Sequence, residues 1–405
     1  MLVLAWGALV YLGSLGPLLA APLDEFVTAN PGFEPWHGEG EIGVDMMNSK
    51  VDLFKFRGDP DPRNNAIGDY RGVHARGGLA LTKRLWVDAG ILDRKIITPY
   101  DNGESLGLHA AAQFQVTQSF GALPAIALRL SGWRDSASEA NKGSPSSFSA
   151  AGTSVSTDAI RIDNPRDNQV QLDLLNTWNL SGNTSLTIFG SIGKSTVDFD
   201  KLHVTNLNNV KLTPPGMSTG EWSGTVAGRF QLQQANDAQG QSGIKATCMT
   251  SDGCAYGFSN NTGSSVSGVL PYADSFPVMT VAGTSVPSGL NIGYDSTFYQ
   301  LGGSLSWMSS EWRTRLGYRF VKWNRDVDEA VMQLGKKVID TNHFLTGEIG
   351  YKPPLPLFEH AGLFVRGQVM ANQFVGEVPF SYNAFSAHKF DHRYGLLTLG
   401  VSGGF

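Results

Sequence analysis

Tyr394-Gly395-Leu396-Leu397-Thr398-Leu399-Gly400-Val401-Ser402-Gly403-Gly404-Phe405 closes the chain and decides its fold. From Gly395 onward the odd positions carry Leu397, Leu399, Val401 and Phe405, while the even positions carry Tyr394, Thr398, Gly400 and Ser402. A period of two is the signature of a β-strand, whose successive side chains point to opposite faces. One face of this strand is apolar and the other largely polar. The edge of a soluble β-sandwich would explain the alternation, but not a strand that runs to its final carboxylate on an aromatic residue.

The same rhythm recurs upstream. Ile42, Val44 and Met46 alternate with Glu41, Gly43 and Asp45, and further alternating stretches begin near residues 73, 85, 106, 126, 170, 186, 222, 299, 312, 345 and 363. Short polar or proline-rich turns near 82, 120, 182, 309 and 354 join them in hairpins, and longer segments lie near 58, 150, 265, 332 and 382. These stretches make thirteen strands, whereas a closed antiparallel chain with both ends on one side needs an even number. The hairpin phase slips between residues 197 and 297, where a weakly patterned stretch near 203–213 supplies the missing strand. The expectation is an all-β, transmembrane antiparallel β-barrel of about 14 strands, within a range of about 12 to 16, with short periplasmic turns and long extracellular loops.

The ending resembles the C-terminal assembly signal of Gram-negative outer-membrane proteins, an aromatic last residue (Phe405) preceded at alternate positions by apolar residues (Val401, Leu399 and Leu397). Gly403 departs from that pattern, because an apolar side chain is commoner there. The resemblance is to porin-like outer-membrane β-barrels as a superfamily and singles out no one family. It implies the bacterial outer membrane as location, the barrel assembly machinery, membrane lipid and lipopolysaccharide as partners, and an oligomeric state left open.

Composition fits. The 405 residues are 41% hydrophobic and include 48 glycines, and past the first twenty residues no apolar run reaches the ~18 residues of a membrane helix. A barrel wall needs only every second residue to be apolar. The net charge of -5 leaves no basic footprint for nucleic acid. Residues 1–21 read as a signal peptide, with an uncleaved anchor as the competing reading. Residues 22–37, with Asn30-Pro31-Gly32, read as a periplasmic N-terminal lead-in, and 38–405 as the barrel. Cys248 and Cys254 close a short polar loop, which in an exported chain reads as a disulfide; no histidine stands near to make a metal site.

With the apolar face toward lipid, the other face lines the lumen. It carries Arg76, Arg94, Arg129, Arg229, Arg313, Arg315, Arg319 and Arg366 against Glu39, Glu41, Asp45, Asp88, Asp173 and Glu348. Arginines gather in the C-terminal half and acids in the N-terminal half, which predicts a transverse field and a preference for anionic or polar solutes. The alternative is that these charges pair and brace the wall. Trp178, Trp307, Trp312 and Tyr351 stand on the apolar face beside short turns, as a girdle would. His109 and His343 have no Ser and no carboxylate or Asn at matching nearby positions, His388 and His392 sit in a loop that also holds Ser386 and read as solvated loop histidines, and no cofactor or metal motif occurs, so a hydrolase is not expected. The expected function is a porin-like channel for passive diffusion of small polar solutes, anions among them. The alternative is a surface barrel whose loops 135–167 and 234–296 bind or assemble a partner.

Overall fold

The computed structural model describes residues 26–29, 34–48, 69–97, 102–143, 145–150, 153–211, 222–236, 242–280, 294–326, 340–354, 361–372 and 393–404. Among them every regular element is a strand. The chain opens with β1 (Gly38–Met47), β2 (Asp69–Ala80), β3 (Leu85–Ile97), β4 (Asn102–Thr117) and β5 (Ala125–Ser136), then β6 (Glu139–Lys142), β7 (Ser146–Ala150), β8 (Thr153–Thr157) and β9 (Ala159–Asp163). Next come β10 (Arg166–Ser181), β11 (Thr184–Asp198), β12 (Lys201–Lys211), β13 (Trp222–Asn236), β14 (Ser242–Cys248), β15 (Cys254–Asn260), β16 (Ser265–Leu270) and β17 (Ser275–Thr280). β18 (Tyr294–Met308), β19 (Trp312–Arg325), β20 (Thr341–Tyr351), β21 (Ala361–Met370) and β22 (Tyr394–Gly404) finish it.

Twelve of these strands close a barrel. β1 to β5 pair in sequence, β5 meets β10, β10 meets β11, β11 meets β18, and β18 to β22 pair in sequence until β22 returns to β1. Closure leaves no edge, so the backbone hydrogen bonds of the wall are made within it. Alternation sets what each face meets: in β1, Glu39, Glu41 and Asp45 are buried inside, while Ile42 and Val44 stay 50% and 44% exposed on the outside. On β22, Leu399 and Val401 likewise face out. An outward apolar band around a polar interior is the geometry of an outer-membrane barrel, and this chain is one.

The count is twelve, inside the expected range and below the expected fourteen. The described part of the stretch near 203–213 lies in β12, and 222–233 lies in β13, but neither joins the wall. Both belong to an outer sheet in which β9, β12, β13, β14 and β17 pair in turn, with β15 and β16 extending it and β6 linking it to the barrel. This sheet encloses its own apolar core, including Ile162, Leu207, Val210, Phe230, Ala246 and Phe258, and the disulfide Cys248–Cys254 is buried within it. Period-two alternation marks burial on one face whatever is being faced, so lipid and a private core leave the same trace in sequence. Short turns such as 182–183 and 309–311 define one rim, which also carries the start of β1 and the end of β22. The outer sheet rises from the opposite, extracellular rim.

Candidate functional site: the lumen

Inside the barrel, residues 26–29 cross the periplasmic part of the lumen. Gln113 Nε2 on β4 donates to the Thr28 carbonyl at 2.7 Å, the Ala29 amide donates to Thr177 Oγ1 on β10 at 2.8 Å, and the Thr28 and Thr177 hydroxyls stand 3.3 Å apart. Val27 and Ala29 pack on Ala125, Ala127, Leu175 and Phe189, where two alanines leave room for a segment against the wall. At its other end the Phe26 ring lies 4.3 Å from the Arg315 guanidinium on β19 and 5.9 Å from that of Arg366 on β21. A stretch expected in the periplasmic lead-in therefore runs through the barrel, held from both sides. Residues 1–25, and with them the expected signal peptide, lie outside the described residues, as does Phe405.

Beside the segment stands a charged cluster. Glu348, whose side chain is 0% exposed, accepts from Arg315 at 2.7 and 2.8 Å, from Arg313 at 3.1 Å and from Arg366 at 2.9 Å. Arg366 also reaches Glu41 on β1 at 2.8 Å, across β22. His74 stands 2.9 Å from Asp45 and 3.3 Å from Glu41, and Thr398 donates to Asp45 at 2.5 Å. On β3 to β5, Asp88 takes a two-pronged contact from Arg129 at 2.6 and 2.9 Å and a hydrogen bond from Trp86 Nε1 at 3.0 Å, with His109 Nδ1 at 3.6 Å. Arg94 pairs with Asp135 at 2.8 Å. Buried charges in such a setting survive only when partnered, which is what the register provides.

The expected lumen residues are thus inside, with one exception. Arg229 lies on β13 in the outer sheet and is exposed to solvent; the alternation that marked it reports that sheet's own core. The charges expected to oppose one another across the lumen meet instead at the seam, because closing β22 on β1 sets the N-terminal acids beside the C-terminal arginines. Trp307 and Trp312 face outward at 43% and 45% exposure beside the 309–311 turn, and Trp312 stacks on Tyr351 with ring centroids 4.5 Å apart. Trp178 is half-buried near the 182–183 turn. His343 faces outward and shares a 2.8 Å hydrogen bond with the Tyr318 hydroxyl. Ser386, His388 and His392 lie outside the described residues.

Above the segment the lumen holds a cavity of about 280 Å³, with Val27 in its lining. Toward the extracellular rim the inner wall turns apolar, where Tyr70, Tyr294, Phe298, Trp323, Phe344 and Tyr394 join one cluster. One ring of this collar, Phe298, rests on a glycine, as do Phe189 and Phe364 elsewhere on the inner wall. Phe298 is paired with Gly193 and Phe189 with Gly302, and a Cβ on either glycine would lie 2.2 or 2.5 Å from the opposite ring. Phe364 covers Gly400 in the same way. The rings lie over bare backbone and so take less of the lumen. Neither the segment nor these pairs were found by alternation; the aromatic and glycine residues were visible, but their pairing depends on register.

No family model matches the chain, and no curated sequence matches it. Solved structures similar to it include the translocator domain of the autotransporter NalP from Neisseria meningitidis, at 10% identity and TM-score 0.39 over 91% of this chain and 87% of that one. A Pseudomonas aeruginosa FadL homologue is similar at 10% identity and TM-score 0.36, covering 94% and 93%. The CymD monoaromatic hydrocarbon channel is similar at 12% identity and TM-score 0.35, covering 92% and 90%.

Proposed function

We propose that this barrel is a solute channel held shut by its own N-terminal segment, and that it passes small polar solutes, anions among them, by passive diffusion when that segment withdraws. The observation that carries the reading is the Phe26–Ala29 stretch anchored to β4, β10 and β19 inside the lumen. Twelve strands fall between the filled eight-stranded barrel and the open sixteen-stranded porin, so one extended segment is enough to block the passage. Its anchors are two amide-type hydrogen bonds, a hydroxyl contact and stacked cations, each worth about 1 kcal/mol or a little more. Such a set can be released without unfolding the wall. On this reading the chain has no catalytic role.

Planar-bilayer conductance tests it. The full chain is expected to be silent for most of the recording, and a variant lacking residues 22–33 to give steady, salt-dependent openings. A deletion variant as silent as its parent sinks the proposal.

A second reading has its own observation, the outer sheet with a separate apolar core and disulfide. A folded extracellular module can bind a partner, and deletion of residues 237–280 would then abolish surface binding while leaving conductance untouched.

A further inference from the structure

The cavity above the segment is lined asymmetrically. Five arginines border it (Arg76, Arg94, Arg129, Arg319 and Arg366) against three aspartates (Asp45, Asp135 and Asp173). Glu41, Asp88 and Glu348, which pair with Arg366 and Arg129, are not in the lining. Asp135, the partner of Arg94, does border the cavity, so the lining carries five guanidinium groups against three carboxylates. Ser131 on β5 borders the same cavity, is 2% exposed, and its Oγ has no hydrogen-bond partner among the described residues. A buried hydroxyl left unsatisfied costs about 1–3 kcal/mol, which a ligand atom accepting from it would recover.

Across the ring of strands the lining changes character. β3 to β5 and β18 to β20 are separated by β10 and β11 on one side and by β21, β22, β1 and β2 on the other, so they face each other. The second sector contributes Phe298, Trp323 and Phe344, with Arg319 over the Phe344 ring at 4.6 Å. Gly193 lets Phe298 lie over the wall and so keeps the space between the two sectors free.

We propose that this cavity is a binding site for a small aryl carboxylate. The ring lies against Phe298 and Trp323, and the carboxylate accepts from Ser131 Oγ beside Arg94 and Arg129. The volume, about 280 Å³, lies just under the ~300–1,000 Å³ of drug-sized ligand sites and fits a molecule of one ring. This assignment rests on the channel reading above, since the site lies on the solute's path.

The test is calorimetric titration of the full chain in detergent with three matched probes: 3-phenylpropanoate, the neutral 3-phenylpropan-1-ol and ring-free propanoate. Phenylpropanoate is expected to bind saturably and about tenfold or more tighter than either control, the factor a charge-assisted hydrogen bond supplies. Ser131→Ala, which removes no bond from the folded wall, is expected to weaken phenylpropanoate about tenfold and to leave the alcohol unchanged. Phe298→Leu should weaken both ring-bearing probes. Equal affinity for the alcohol and the acid, an unchanged Ser131→Ala affinity, or no saturable binding would each overturn the assignment. Binding does not require conduction. Saturable phenylpropanoate binding beside a deletion variant that stays silent in the bilayer therefore refutes the channel and not the site.

Discussion

Thr28 and Thr177 hold their hydroxyls 3.3 Å apart, one on the segment that crosses the lumen and the other on the wall. That spacing makes the closure lockable. A Thr28→Cys/Thr177→Cys pair is expected to form a disulfide, since the two side chains converge at a distance a cystine can span. The oxidised pair should stay silent in a bilayer and dithiothreitol should restore whatever openings the parent shows. Free opening of the oxidised protein would mean that residues 26–29 are no barrier.

Glu348 is the shared counter-ion of Arg313, Arg315 and Arg366. Glu348→Gln should cost about 3–5 kcal/mol, because it strands buried guanidinium groups, whereas removing one arginine leaves the carboxylate still paired. Midpoints of urea unfolding for Glu348→Gln and Arg313→Gln, read from the folded and unfolded bands on an unheated gel, separate the two. Equal small shifts would show that solvent reaches this cluster.

Gly193 faces the Phe298 ring, and a Cβ there would come within 2.2 Å of it. Gly193→Ala must therefore push the ring off the wall, at about 1–3 kcal/mol. Gly367, whose Cβ would meet nothing within 4 Å, is the control, with a change inside about 0.5 kcal/mol. Adding Phe298→Leu should rescue Gly193→Ala and not Gly367→Ala. Thermal midpoints of the four proteins decide it.

Asp163 ends β9 in the outer sheet. Burial raises its pKa, but Arg161 donating at 2.7 Å and His203 at 2.9 Å outweigh this and hold it below the ordinary 3.8. A carboxyl with a lowered folded pKa adds stability that is full above its unfolded value and lost as pH falls through the folded one. The outer sheet should therefore be cut faster by pepsin at about pH 3 than the barrel wall, and Asp163→Asn should shrink the difference between mild and strong acid. A pH response unchanged in Asp163→Asn would assign it to other carboxyls.

What could be read from sequence followed from how burial writes itself into a strand. Ile42 against Glu41, or Leu399 against Thr398, tells a lipid-facing residue from a lumen-facing one, so the closed antiparallel barrel, its hairpins and most lumen residues were legible. Trp222, Val226 and Phe230 alternate equally well, yet they face the outer sheet's core, and Arg229 beside them was misplaced for that reason. The pairing of Arg366 with Glu41 depends on which strands meet at closure. Phe26 to Ala29 carry no period at all, because a single extended segment shows no repeating face; its role exists only in the complementary shape of Ala125, Ala127 and Thr177.

Trp36 donates its amide to the Ala80 carbonyl at 2.6 Å, which fixes the chain to the rim just before β1 begins. Between this clamp and Ala29 run only six residues, 30–35. On the proposed reading, the stopper is leashed to the mouth it closes. On release it stays within a few nanometres, so its return is an intramolecular event at an effective concentration on the order of millimolar. If the segment gates the barrel as proposed, shutting would not depend on how many copies are present, and each barrel would time its own closure.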